Sequence, residues 1–263
     1  MTAQTAAIAA ATLPQTNRHE AAQLATAQHA AMLAVLRGLD DSAWDRPTDC
    51  ARWTVRDVVA HVVGSLADGA HLVTTVRHTI AGRRKHRELG PLDALNEAQV
   101  DDRRGWPAAR LLEDFERLAP KAVRARRRVP GVVRRIKVPA SMPMPPGTPM
   151  GYLFDVIYIR DVWMHRIDIS RAVGQPFVAD PADAKVVAQV IRDLGRRWQG
   201  PTVRLELSGE GSWLLGSGDP STSVSTDAVE YCRLLSGRNA RPTYTLTGDE
   251  SVRQLLDAAR IEF

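Results

Sequence analysis

Cysteine is nearly absent from this 263-residue chain: Cys50 and Cys232 are the only two, and they lie far apart. A disulfide framework needs several paired cysteines and a Cys-rich zinc finger needs closely spaced ones, so neither organises this protein. Long apolar runs are missing too. No stretch approaches the roughly 18–20 apolar residues of a membrane-spanning helix. The apolar run from Ala7 to Ala11 is short and has no basic residue before it, unlike a signal peptide. The expected compartment is therefore the cytoplasm, with no membrane partner. No repeat of solenoid period is present.

Lysine is scarce as well, at four of the 35 cations, so the net charge of +5 is carried by arginine. Such basicity suggests nucleic acid only if it is spread over a face. Here residues 121–137 hold eight Lys or Arg and no acid, leaving −3 for the rest of the chain. That stretch has no interleaved aromatics on which bases could stack, which argues against a nucleic-acid partner. Its default reading is a solvated loop; the alternatives are an attractor for acidic substrates or a contact for an anionic surface.

What is present is mostly helical grammar. The first fifteen or so residues read as frayed. Apolar residues then recur at helical spacing from about Arg18 to Leu39. After a loop carrying Trp44, Pro47 and Cys50, Thr54 with Asp57 three residues on resembles a capping box. It opens a second helix that runs past residue 75. Residues 92–128 form a third helical region broken at Trp106-Pro107, and six prolines make 129–149 irregular. A fourth helix spans Tyr152 to Val173, with Gly174 as the residue after its C-cap. The expected architecture is a four-helix bundle over residues 17–174, preceded by a flexible segment, 1–16. From 175 to 263 the pattern changes to a small α+β domain. Helices are expected near Pro181–Trp198, Asp227–Leu235 and Glu250–Ala259. Strands are expected at Val203–Leu207, Ser212–Leu215, Thr222–Ser225 and Thr243–Thr247.

The chemistry concentrates on the fourth helix. Phe154, Ile157, Tyr158, Asp161, His165, Asp168 and Ala172 share one face, and Asp161 with His165 is an i, i+4 pair that can reach a single point. A carboxylate and an imidazole so placed suit a divalent metal, with His61 of the second helix as third ligand. The competing reading is a surface hydrogen bond, with His61 paired locally to Asp57. Asp168 either orients His165 or pairs with Arg171. His71, His78 and His86 read as solvated, and neither they nor His19 and His29 are given a role. Cys50 reads as a small loop anchor, or alternatively as a reactive thiol at a helix N-terminus. Cys232 reads as core.

The stretch Trp44-Asp45-Arg46-Pro47-Thr48-Asp49-Cys50, then Trp53-Thr54-Val55-Arg56-Asp57-Val58-Val59-Ala60-His61, closely resembles the mycothiol-dependent maleylpyruvate isomerase family. That family belongs to the DinB-like metal-binding four-helix bundles. The resemblance extends to the fourth helix and, more weakly, to Tyr231–Arg238 and Leu246–Asp249. It implies the fold already expected, a DinB-like four-helix bundle followed by a small α+β domain. It also implies a zinc site on His61, Asp161 and His165, and Arg238 as a clamp for an anionic substrate. Asp161 stands where the family has glutamate, so the shorter side chain must bring the helix closer to the ion or bind through water. By the same resemblance the cosubstrate is mycothiol, a low-molecular-weight thiol. The reaction is then an isomerisation or transfer on a small electrophilic substrate through a metal-bound thiolate. Two other functions fit the same donors: a hydrolase using metal-bound water, and a non-catalytic protein that binds a small molecule or partner on the same scaffold.

Overall fold

Helices form where the apolar spacing places them, and the computed structural model, which describes residues 7–263, divides the chain into two units. One is Asn17–Asp180; the other joins residues 7–16 to Pro181–Phe263. The expected boundary at 174/175 thus moves to 180/181. No helix among the described residues is long and apolar enough to cross a membrane.

In the first unit α1 (Arg18–Arg37) starts at Asn17, whose side chain accepts from the backbone N–H groups of His19 and Glu20. The Thr54/Asp57 capping box starts α2 (Val55–Ala70) as expected. This helix does not run past residue 75. His71 is extended, and the chain restarts as α3 (Leu72–Lys85). The break turns α3 back so that His78 donates from Nδ1 to Asp68 Oδ1 at 2.7 Å. His78 is buried, and His86 sits 3.1 Å from Asp101, so two of the three histidines expected to be solvated are pinned by carboxylates. The third helical region is α4 (Pro91–Asp101) and α5 (Ala108–Arg128), separated at Trp106-Pro107 as expected. α3 packs on α4 at Gly82, where a Cβ would lie 2.3 Å from the Ala94 carbonyl oxygen.

After the short α6 (Gly131–Arg135) and α7 (Met150–Tyr152), a π-helical turn, Leu153–Ile157, leads into α8 (Tyr158–Ala172). Gly174, at φ +69°, ends it in the left-handed region that glycine tolerates. The basic stretch is therefore not a solvated loop throughout. Its first half is the end of α5 and part of the rest is α6. Arg126 is buried, while Arg134 pairs with Asp155. The bundle core is built from Met32 and Leu36 of α1, the valines of α2, Leu111 and Phe115 of α5, and Val162 and Ile169 of α8.

The second unit holds strands β1 (Ile8–Ala9), β2 (Val203–Ser208), β3 (Gly211–Leu215), β4 (Thr222–Asp227) and β5 (Thr245–Thr247), which form one sheet in the order β1-β3-β2-β4-β5. The helices α9 (Asp183–Arg197), α10 (Ala228–Leu235) and α11 (Val252–Ala258) complete it. Here the N-terminal expectation is corrected. Residues 7–16 are not frayed, while 1–6 lie outside the described residues. Ile8 and Ala9 pair in parallel with Trp213 and Leu214. Gln189 Nε2 donates to the Pro14 carbonyl at 2.9 Å, and Arg192 Nε to that of Leu13 at 2.9 Å. Ala10 is buried over Gly195, where a Cβ would come within 2.6 Å of it. Backbone groups that would otherwise face water are satisfied by the rest of the unit, which is why the segment stays ordered.

Candidate metal centre

The loop before α2 is tied by short local bonds. Thr48 donates to the Trp53 carbonyl from its amide at 3.1 Å and from its hydroxyl at 2.8 Å, and the Trp53 amide donates to the Cys50 carbonyl at 2.7 Å. The turn sets Cys50 and Trp53 beside the start of the helix. The Trp53 indole donates to Glu97 Oε1 at 2.9 Å, and its ring lies over His61 with centroids 4.9 Å apart. Asp57 is occupied by the cap: its Oδ2 accepts from the Thr54 amide at 3.0 Å and hydroxyl at 2.8 Å. The local pairing of His61 with Asp57 is thereby replaced. His61 turns to α8.

There the three expected donors converge. Asp161 Oδ1 lies 3.5 Å from His61 Nε2 and 3.3 Å from His165 Nε2. The two rings sit edge to face with centroids 5.2 Å apart, and both histidines are buried. Metal–ligand bonds of 2.0–2.2 Å in a tetrahedron put donor atoms about 3.3–3.6 Å apart. Both separations from Asp161 Oδ1 fall in that range, and the three donor atoms lie within 4.8 Å of one another. His61 Nδ1 is buried and has no hydrogen-bond partner among the described residues.

Electrostatics couple the set. Burial pushes the Asp161 carboxyl up, but the facing imidazoles of His165 and His61 outweigh it and hold the group well below the usual carboxylate range. Burial pushes His165 down, yet the Asp161 carboxylate, with the hydrogen bonds His165 makes to Asp161, Asp168 and Cys50, raises it well above an ordinary histidine. Without metal, Asp161 and His165 form an ion pair. Behind His165, Nδ1 donates to Asp168 Oδ2 at 2.9 Å, and Cys50 Sγ donates to the same oxygen at 3.7 Å. Asp168 is fully buried, so it orients the ring from inside the protein.

Two neighbours of the site were not read from the sequence. One is the covering role of Trp53, which lay inside the recognised motif. The other is Arg126, whose guanidinium lies 3.8 Å over the Tyr158 ring, one helical turn from Asp161, and donates to the Ser65 carbonyl at 3.2 Å. The signal was available: Leu111, Phe115, Leu118, Ala122 and Arg126 fall on one buried stripe of α5. Arg238, the expected clamp, belongs to the second unit. There it follows Gly237 at φ +84° and donates from Nη1 to Ser236 Oγ at 3.0 Å. Cys232 is buried in that unit's core, as expected.

Comparison with known proteins matches residues 25–170, more than half of the chain, to the mycothiol maleylpyruvate isomerase N-terminal domain. Two solved structures share the fold. A crystal structure of mycothiol-dependent maleylpyruvate isomerase is 17% identical, with 92% of this chain and 96% of that chain covered and a TM-score of 0.55. A crystal structure of a histidine-to-alanine variant of mycothiol-dependent maleylpyruvate isomerase is 16% identical over the same shares, with a TM-score of 0.55. No curated protein matches.

Proposed function

The chain belongs to the mycothiol maleylpyruvate isomerase N-terminal domain family, and from that premise we propose that it is a zinc-dependent, mycothiol-linked isomerase or transferase. The reading is carried by one observation, the convergence of His61 Nε2, Asp161 Oδ1 and His165 Nε2 at separations suited to one ion. A set of three protein donors, rather than four, is the pattern of catalytic rather than structural zinc. Held by His61, Asp161 and His165, zinc would supply Lewis acidity that makes a low-molecular-weight thiol more acidic.

The chain's own residues do the rest. Asp168 accepts the Nδ1 proton of His165 and so points the Nε2 lone pair at the ligand position. Asp161 brings the negative charge that a divalent ion needs. The Trp53 ring covers one side of His61 and keeps water from it. The reaction class is addition of a low-molecular-weight thiol to an electrophilic carbon of a small substrate. It is an isomerisation when the thiol leaves again and a transfer when it stays. Arg238 is assigned to an anionic group of that substrate on the family resemblance alone.

The test is metal content of the purified protein by elemental analysis, beside folded His61→Ala and His165→Ala variants. About one zinc per chain, lost in both variants, supports the centre. Turnover of electrophiles that requires mycothiol then supports the reaction class. A metal-replenished wild type that retains no metal overturns the reading, and mycothiol-independent ester cleavage replaces it with hydrolysis.

A further inference from the structure

His165 faces two donor sets, one through each ring nitrogen. Nε2 points to Asp161 and His61. Nδ1 points to Asp168, and Cys50 Sγ, Asp168 and His165 present one ligand atom each within 4.8 Å of one another. We propose that Cys50, Asp168 and His165 Nδ1 form a second metal position, for soft thiophilic ions, and that it competes with the first for His165. The site itself does not rest on the mycothiol reading; its competition for His165 rests on the first metal centre proposed above.

The geometry fits the chemistry. In a tetrahedral site with a metal–sulfur bond near 2.3 Å and a metal–oxygen bond near 2.1 Å, sulfur and oxygen sit about 3.6 Å apart. Cys50 Sγ and Asp168 Oδ2 are 3.7 Å apart. Nδ1 and Oδ2, now 2.9 Å apart across a proton, must separate by only about 0.4 Å to become adjacent ligands of one ion. The thiolate makes this set softer than the His61/Asp161/His165 set, so the two sites select different ions. Cys50 lies in the half-exposed loop before α2, which gives an ion a route in, while His165 and Asp168 are buried behind it.

Each set goes with its own arrangement of protons. An ion at the second position displaces the Cys50 S–H proton and the His165 Nδ1–H proton to solvent, and Nε2 keeps its proton and donates it to Asp161, 3.3 Å away. An ion at the first position takes Nε2, and Nδ1 keeps its proton for Asp168. A neutral imidazole has one free lone pair, so His165 serves one ion at a time. A thiophilic metal captured at Cys50 thereby withdraws a ligand from the first centre.

Titration of metal-free protein with Cd2+, followed by the thiolate-to-cadmium charge-transfer absorption in the ultraviolet, tests this. One cadmium per chain with the thiolate band is expected. The band should be lost in Cys50→Ser and retained in His61→Ala and in Cys232→Ser. Circular dichroism on each variant checks that it is folded. One equivalent of zinc added beforehand should suppress the band until zinc is displaced. A wild type that binds cadmium without the band, or a band that survives Cys50→Ser, overturns the site. A full-strength band with zinc still bound overturns the sharing of His165.

Discussion

Asp168 Oδ2 and His165 Nδ1 are 2.9 Å apart, with Asp168 fully buried, so the orientation of the one histidine common to both donor sets is set by a carboxylate that water does not reach. Asparagine at 168 keeps the shape and removes the charge. Asp168→Asn should weaken zinc binding by about 10–100-fold while leaving the fold intact. Chelator competition measures it, and an unchanged affinity would mean that packing alone holds the ring.

Zinc binding should release protons, and affinity should fall as pH falls. His165 carries a raised pKa because the Asp161 carboxylate and its hydrogen bonds outweigh burial. It is therefore protonated over a wider range than a free histidine, and the metal must displace that proton. Calorimetry in buffers of different ionisation enthalpy reads the release directly. A pH-independent affinity above the ordinary histidine range would contradict the ion pair.

His29 gives a pH effect of opposite origin. Burial, with Arg126 as a nearby cation, lowers its pKa from 6.5 to about 3, and its ring packs edge-on against Phe115. The folded state keeps it neutral while the unfolded state takes up a proton below 6.5, so stability is full above that pH and is lost as pH falls. The loss attributable to His29 is roughly 2 kcal/mol between pH 7.5 and 5. Denaturant unfolding of His29→Leu beside wild type should show the pH dependence reduced by about that amount. Parallel curves would mean that His29 titrates normally in the fold.

Gly82 is where α3 meets the backbone of α4. A methyl group there would lie 2.3 Å from the Ala94 carbonyl oxygen and 2.6 Å from its carbon. No flexible side chain is available to yield, so Gly82→Ala should destabilise by about 1–3 kcal/mol even though alanine favours helix. Thermal unfolding measures it. An unchanged or raised melting temperature would show that the two helices slide apart freely.

Much of this was legible in the chain itself. The Thr54–Asp57 cap, the break before Ala108 and the glycine after α8 are local devices, acting over three or four residues, and each formed where its residues stand. The Asp161/His165 pair was legible for the same reason, since i, i+4 spacing alone places two side chains on one face. His78 was misread because a polar helix gives no hint that Asp68, ten residues earlier, will face it after a break at His71. The N-terminal segment was misread because its strand partner lies some two hundred residues away at Trp213 and Leu214.

By itself, then, the sequence determined the helices, their caps, the family motif and the shared face of Asp161 and His165 on α8, all of them set by short-range spacing and hydrogen bonding. Only the tertiary structure decided that His61 turns from Asp57 to Asp161, that Arg126 is buried over Tyr158, and that Cys50 and Asp168 meet behind His165. Those relationships join residues that are 32 to 118 positions apart. No local preference encodes such distances; they follow from which apolar faces can be buried together in one core.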